Sequence, residues 1–388
     1  MRILRCIHSL DPAIGGPLES VRQSSLVLAQ RGHEVEVVSL DAPNARGVLE
    51  FPGVAHGLGD GGSYGYTSRF VPWMKASQAR FDVVIVHGIW QYHSFGVWRA
   101  LHGTATPYFV FPHGMLDPWF KRTYPLKHLK KLLYWPWAEY RVLRDAAAVL
   151  FTSEEERRLA RESFALYRCN EVVVNYGTAQ PQIDLTNARE DFLRAFPTLR
   201  GKQILLFLGR LHEKKGCDLL LEALRAHSKS EQIHLVMAGP TAHEDYLEWL
   251  KGLATGMPVT FPGMLRGNLK WGAFAAAEAF ILPSHQENFG IAVVEALACE
   301  LPVLISDKVN IWREIAMNGA GYVESDTFAG TSRLLERWFA TPKSERTLMR
   351  DKAQRCFRER FEIQRATDSL LEVLREPKTR LQPVSSDV

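Results

Sequence analysis

Residues 283–302 read PSHQENFGIAVVEALACELP, directly after the run AEAFILPS (277–284). A short apolar run, a polar loop and a longer apolar stretch outline a buried parallel strand, a turn and a helix. The helix is expected from about Asn288 to Cys299. Its interior, FGIAVVEALAC, is apolar around nearly the whole circumference, so it belongs between a sheet and its neighbours. Glu295 is the only ionisable group within that interior. A carboxylate placed there needs a partner, either ligand hydroxyls or a basic side chain. Glu287 stands at the helix mouth, beside the N–H groups of Asn288, Phe289 and Gly290, and a helix start leaves such groups open to an oxygen-rich ligand. On helical geometry Glu287 and Glu295 lie about 12 Å apart, which suits the two ends of an extended ligand and is too far for a glycosidase acid and base. The plainer alternative is one Glu favouring the helix dipole and another held by a basic residue.

A second strand–turn–helix junction reads ILLFL, GRLHEKKG, CDLLLEALRAH (204–227). Arg210, Lys214 and Lys215 sit on its turn, with Gly209 and Gly216 to make the turn tight. Cations on a loop at a helix start are what a diphosphate requires. A diphosphate centre with hydroxyls at both ends describes a nucleotide-diphosphate sugar.

Outward from these junctions the pattern repeats. RILRCIHS, HEVEVVSL, FDVVIVHG, PYFVFPHG, DAAAVLFTS and CNEVVVNYG mark strands up to about residue 177, and KQILLFLGR, QIHLVMAGP, AEAFILPS and LPVLISD mark a second series. Helical sequence separates most of these runs, the signature of α/β units on parallel sheets. The expected organisation is an N-terminal Rossmann-like domain over 1–178 and a C-terminal one over 200–360, with 179–199 as a polar linker. A helix over about 361–375 is expected to pack back on the first domain, and the tail from Lys378 to lack structure. Two doubly wound domains would face a central cleft at the carboxyl ends of their strands.

Composition narrows the classes. Of 388 residues, 46% are hydrophobic and 23% charged, with a net charge of +4, so a soluble two-domain protein is expected and a nucleic-acid binder is not. Five scattered cysteines without a CxxC argue against a disulfide framework or zinc site and for a reducing cytosol. MRILRCIHSL reads as a first strand rather than a signal peptide, and no apolar run reaches the roughly 20 residues of a membrane span.

The chain resembles the retaining, GT-B-fold glycosyltransferases of family 4 (glycosyl transferases group 1). GRLHEKKG, PSHQENFGIAVVEALACELPV, FPHGMLDPW, the glycine loop IGGPLESV and RFEIQRATDSLLEVL carry the resemblance, in the family's order over nearly the whole chain. The resemblance implies that Glu287 contacts the donor sugar, aided by N–H groups around Asn288, Phe289 and Gly290, and that Glu295 binds the nucleotide ribose. It implies that Arg210 and Lys215 hold the diphosphate, that His113 stands near the reacting sugar, and that Gly15 and Gly16 approach phosphate or acceptor. Preorganised cations can stabilise the leaving diphosphate, and no Asp-x-Asp is present, so a retaining hexosyl transfer without metal or other cofactor is expected. The acceptor would be a glycan or lipid-linked molecule in polysaccharide or glycolipid biosynthesis. The alternatives are a sugar-nucleotide epimerase on the same fold or a non-catalytic nucleotide-sugar-binding subunit. Glu300 departs from the family pattern, which has glycine at that helix end and so predicts strain of roughly 1 kcal/mol.

One stretch stands apart. WFKRTYPLKHLKKLLYWPWAEYRVLR (119–144) interleaves seven Lys and Arg residues with aromatics, and Leu126, Leu129, Leu133 and Trp137 share a helical stripe. Two readings are open: a helix lying peripherally on an anionic membrane, at the inner face of the membrane for a cytoplasmic protein, or an amphipathic core helix with its aromatics inward, a solvated basic face and Pro136 bending or ending it.

Overall fold

A computed structural model describes residues 1–12, 15–227, 233–241 and 243–376. The tail from Lys378 lies outside them. The chain divides into two compact units, Met1–Tyr176 with the C-terminal segment from Ile363, and Gly177–Glu362.

The first unit carries β1 (Arg2–Ile7), β2 (Glu34–Ser39), β3 (Val54–Gly57), β4 (Val83–His87), β5 (Tyr108–Phe111), β6 (Ala148–Phe151) and β7 (Glu171–Val173). They form one sheet in the order β3-β2-β1-β4-β5-β6-β7. The second unit carries β8 (Gln203–Leu208), β9 (Ile233–Ala238), β10 (Val259–Gly263), β11 (Ala279–Leu282), β12 (Val303–Ser306) and β13 (Gly321–Glu324), ordered β10-β9-β8-β11-β12-β13. Every ladder is parallel. Each sheet runs outward from its first strand in both directions, the doubly wound topology, with switch points at β1/β4 and β8/β11. The central strands are apolar without alternation because helices cover both faces, and β4 and β11 are buried along their whole length.

Residues 179–199 correct the expectation of a linker. They hold the helix Leu185–Ala195 within the second unit, capped by Asp184, whose carboxylate accepts the Thr186 and Asn187 N–H groups. Ala188, Phe192 and Leu193 are buried against the helix Gly267–Ala276. A Cβ at Gly272 would come within 2.1 Å of the Ala188 carbonyl oxygen, so the two helices touch backbone to backbone. The charged residues of this stretch line the exposed face, which is why it reads as polar.

The helix Ile363–Arg375 lies in the first unit. Leu370, Leu371 and Leu374 join Ile3, Leu28, Ile85 and Phe109 in one buried cluster. Arg31, just past the helix Gly16–Gln30, pairs with Asp368 and donates to the Gln364 amide oxygen at 2.8 Å.

Candidate functional site

In the second unit the loops after β8 and β11 leave adjacent, hydrogen-bonded strands at the switch point. Two contacts hold them together. The His285 N–H donates to the Lys214 carbonyl at 2.9 Å, and a Cβ on Gly216 would sit 2.3 Å from the Pro283 carbonyl oxygen. Gly216 is left-handed (φ 64°) and links the turn Glu213–Lys215 to the helix Cys217–Ala226, so glycine is required twice over. This packing brings the Lys215 ammonium into direct contact with the Glu287 carboxylate. Burial, and then the Lys214 and Arg210 cations, push Lys215 down to about 7, whereas the touching Glu287 carboxylate works the other way. Arg210 is exposed at the start of the same turn.

The Glu287 backbone is fixed by strand-like bonds. Its N–H donates to the Lys308 carbonyl at 2.9 Å and its carbonyl accepts the Asn310 N–H at 3.0 Å. Asn310 also reaches the Asn288 amide oxygen at 3.4 Å, and Phe289 is buried edge-on against Phe361.

Here the structure corrects the sequence expectation. The helix spans Ile291–Ala298 and does not begin near Asn288, because Gly290 is left-handed (φ 72°) and breaks the helical path before it. The first-turn N–H groups are therefore those around Gly290, Ile291 and Ala292. Val293 and Val294 already donate to the Gly290 carbonyl. Since Glu287 lies outside the helix, helical rise no longer gives its separation from Glu295.

Glu295 is buried, and its carboxylate binds the Lys270 ammonium at 2.6 Å. Lys270 comes from the helix Gly267–Ala276 and also lies 4.5 Å from the Trp271 ring centroid. The buried carboxylate thus has a basic protein partner, one of the two possibilities its position left open. Sequence reasoning missed Lys270. The signal available was a lone lysine in the otherwise uncharged run GNLKWGAFAAA.

His113, Gly15 and Gly16 belong to the first unit. His113 follows β5 with a positive φ of 50°. Its Nε2 lies 3.1 Å from Nδ1 of His87 at the end of β4. Burial, and then the cation of buried Arg5, push His113 down to about 3, so the imidazole is neutral. His87 was one of several scattered histidines in the sequence; parallel pairing of β4 with β5 sets it beside His113. Gly15 is left-handed (φ 84°) and precedes the helix Gly16–Gln30, with open space where a Cβ would stand. Among the described residues no group of three His, Cys, Asp or Glu side chains is arranged to hold a metal ion.

Comparison with known proteins bears on the family and the fold. The family model described as Glycosyl transferases group 1 matches residues 189–355, and the Glycosyl transferase 4-like domain matches residues 15–177. The chain is 26% identical over 390 residues to the GDP-mannose-dependent alpha-(1-6)-phosphatidylinositol dimannoside mannosyltransferase of Mycobacterium tuberculosis, covering 96% of each. It is 28% identical over 324 residues to the D-inositol 3-phosphate glycosyltransferase of Mycobacterium leprae, covering 75% of this chain and 71% of that protein. In fold it is similar to sucrose-phosphate synthase from Thermosynechococcus elongatus (TM-score 0.77, 19% identity, 97% and 99% coverage). It is also similar to Anabaena HepE in complex with UDP and glucose (TM-score 0.76, 16% identity, 97% and 100% coverage). With the two doubly wound sheets, both domain matches and these relatives together, the chain belongs to the glycosyl transferases group 1 family and is a GT-B-fold glycosyltransferase.

Proposed function

We propose that the chain transfers a hexosyl group from a nucleotide-diphosphate sugar to a glycan or lipid-linked acceptor, with retention at the anomeric carbon and without a metal. The observation that carries this reading is the Lys215–Glu287 contact at the carboxyl ends of β8 and β11. In this contact each charge satisfies the other. A donor offers each a better partner, its diphosphate for Lys215 and Arg210, its sugar hydroxyls for Glu287 and the N–H groups around Gly290. Charge grows on the diphosphate as the glycosidic bond breaks, and cations already in place stabilise it without reorganisation. Glu295, oriented by Lys270, is assigned to the ribose. Neutral His113 is assigned to the transfer step and not to donor binding, so His113→Ala should lower kcat and leave donor affinity unchanged. The relative named for phosphatidylinositol dimannoside supports an acceptor of glycolipid type.

The test is a thermal-shift screen against UDP-, GDP- and ADP-sugars, with Glu295→Ala measured against its own unliganded midpoint. Stabilisation by one donor class, lost in the variant, is expected; no stabilisation by any of them removes the donor-site assignment. Activity that EDTA abolishes and magnesium restores would overturn metal independence, and an inverted anomeric configuration by NMR would overturn retention. Slow donor hydrolysis without acceptor separates an enzyme from a binding subunit.

A further inference from the structure

Residues 119–144 divide between the two readings: Trp135, Ala138, Val142 and Leu143 are buried, as a core segment with aromatics inward requires, but the leucine stripe before them is not. Helix Pro125–Tyr134 buries none of its residues. The side chains it turns inward are polar or cationic. The Tyr134 hydroxyl meets the Tyr64 hydroxyl at 2.7 Å, Lys131 lies 4.5 Å from the Trp90 ring centroid, and His128 lies 4.9 Å from the Phe164 ring. The apolar stripe faces solvent instead, with Leu126 79% exposed, Leu133 72% and Trp137 69%, and with Leu129 and Leu132 exposed between them. Trp135 ties the neighbouring loop to this helix by donating to the Ala165 carbonyl at 3.0 Å, and the next residue, Leu166, is 74% exposed. Lys121, Arg122, Lys127 and Lys130 are exposed on the same segment, Arg144 pairs with Asp145, and the one acid between Trp119 and Arg144, Glu139, is fully buried. A cavity beside the helix is rimmed by Lys121, Lys127 and Lys131 over Phe120 and Phe164.

We propose that this face docks on a bilayer bearing anionic headgroups, with the helix in the plane of the interface. Its leucines and Trp137 would enter the acyl boundary, and Arg122, Lys127 and Lys130 would meet lipid phosphates. Ten residues are too few to cross a bilayer, and among the described residues no helix is long and apolar enough to do so, so an interfacial position is the one the length allows. A second copy of the chain is a poor occupant, since it would press these exposed cations against their own copies. Free phosphate would account for the lysines but not for the exposed leucines. The inference extends the lipid-linked acceptor reading and tests separately from it.

The experiment is co-sedimentation of the full chain with vesicles of phosphatidylcholine alone and of phosphatidylcholine with phosphatidylglycerol, at low and high salt. Two variants keep to exposed positions: Leu126→Ser/Leu129→Ser/Leu133→Ser, and Arg122→Gln/Lys130→Gln. Binding is expected to the anionic vesicles and to weaken with salt. The Arg122/Lys130 variant should bind about thirtyfold more weakly, from the attraction each surface cation adds, and the leucine variant should not sediment. Unchanged melting midpoints and nucleotide-sugar shifts show that the variants fold. Equal binding to neutral and anionic vesicles, absence of binding, or variants that bind like the parent protein would overturn the proposal. So would a dimer in vesicle-free solution that the leucine variant dissociates. If vesicle binding fails while donors still stabilise the protein, the membrane inference falls and the donor site stands.

Discussion

At the residue scale, Lys215 and Glu287 offset each other's charge. A half-buried ammonium among other cations is costly, and the carboxylate in contact offsets part of that cost, a role a diphosphate takes over in the proposed donor site. Lys215→Met should therefore lower kcat by about 10²–10³-fold, the loss expected when one preorganised stabiliser of transition-state charge is removed. Lys214→Met, in the same turn, should have a much smaller effect; steady-state turnover of the two variants decides between them. Glu300 is a second residue-scale case. It is left-handed (φ 59°) where the helix Ile291–Ala298 ends, and its N–H donates to the Leu297 carbonyl at 3.0 Å. Its carboxylate takes a hydrogen bond from the Gln354 amide, a local gain for an otherwise strained residue. Glu300→Gly should still stabilise the second unit by about 1 kcal/mol, since glycine carries no Cβ penalty there. Calorimetry should then show its midpoint rising by about 2–4 °C.

At the scale of elements, the central strands were legible, because a parallel strand buried on both faces must be apolar along its length, whereas the edge strands β3, β10 and β13, short and only partly buried, were missed. Helices were legible where one face was apolar and illegible where burial ran against composition. The helix Leu185–Ala195 hides three buried residues among charges, and the helix Pro125–Tyr134 exposes leucines that composition alone would place inside. Nothing in either local sequence states which face meets a neighbour. The helix Ile363–Arg375 carries the clearest energetic prediction. Leu374 is buried in the first unit though it lies near the other end of the chain. Leu374→Ala should destabilise that unit by about 2–4 kcal/mol through lost burial and a cavity. Hydrogen exchange of β1 and β4 amides should report it, while β8 and β11 amides keep their protection.

At the scale of the whole molecule, the two units should differ in acid sensitivity. The first holds three buried neutral histidines: burial lowers His87 well below the usual range, His93 to about 4 and His113 to about 3. Unfolded histidine takes a proton near pH 6.5, so as pH falls below that value the unfolded state binds protons that the folded state refuses. Each histidine then removes up to about 1.4 kcal/mol per pH unit until its folded pKa is reached. Glu139, raised by burial to about 7, acts the opposite way between pH 7 and 4.5, but it is one group against three. The first unit should therefore lose exchange protection between pH 6.5 and 5 before the second does; simultaneous loss would count against it. The sequence by itself determined two parallel sheets, their central strands, and the two junctions GRLHEKKG and PSHQENFG. It could do so because strand burial and tight glycine turns leave a local signature. Only the tertiary structure decided that Lys215 touches Glu287, that Lys270 neutralises Glu295, that His87 meets His113, and that the leucines of 126–133 face outward. Each of these depends on which strands are neighbours and which helix face is covered, and residues far apart in the chain settle both.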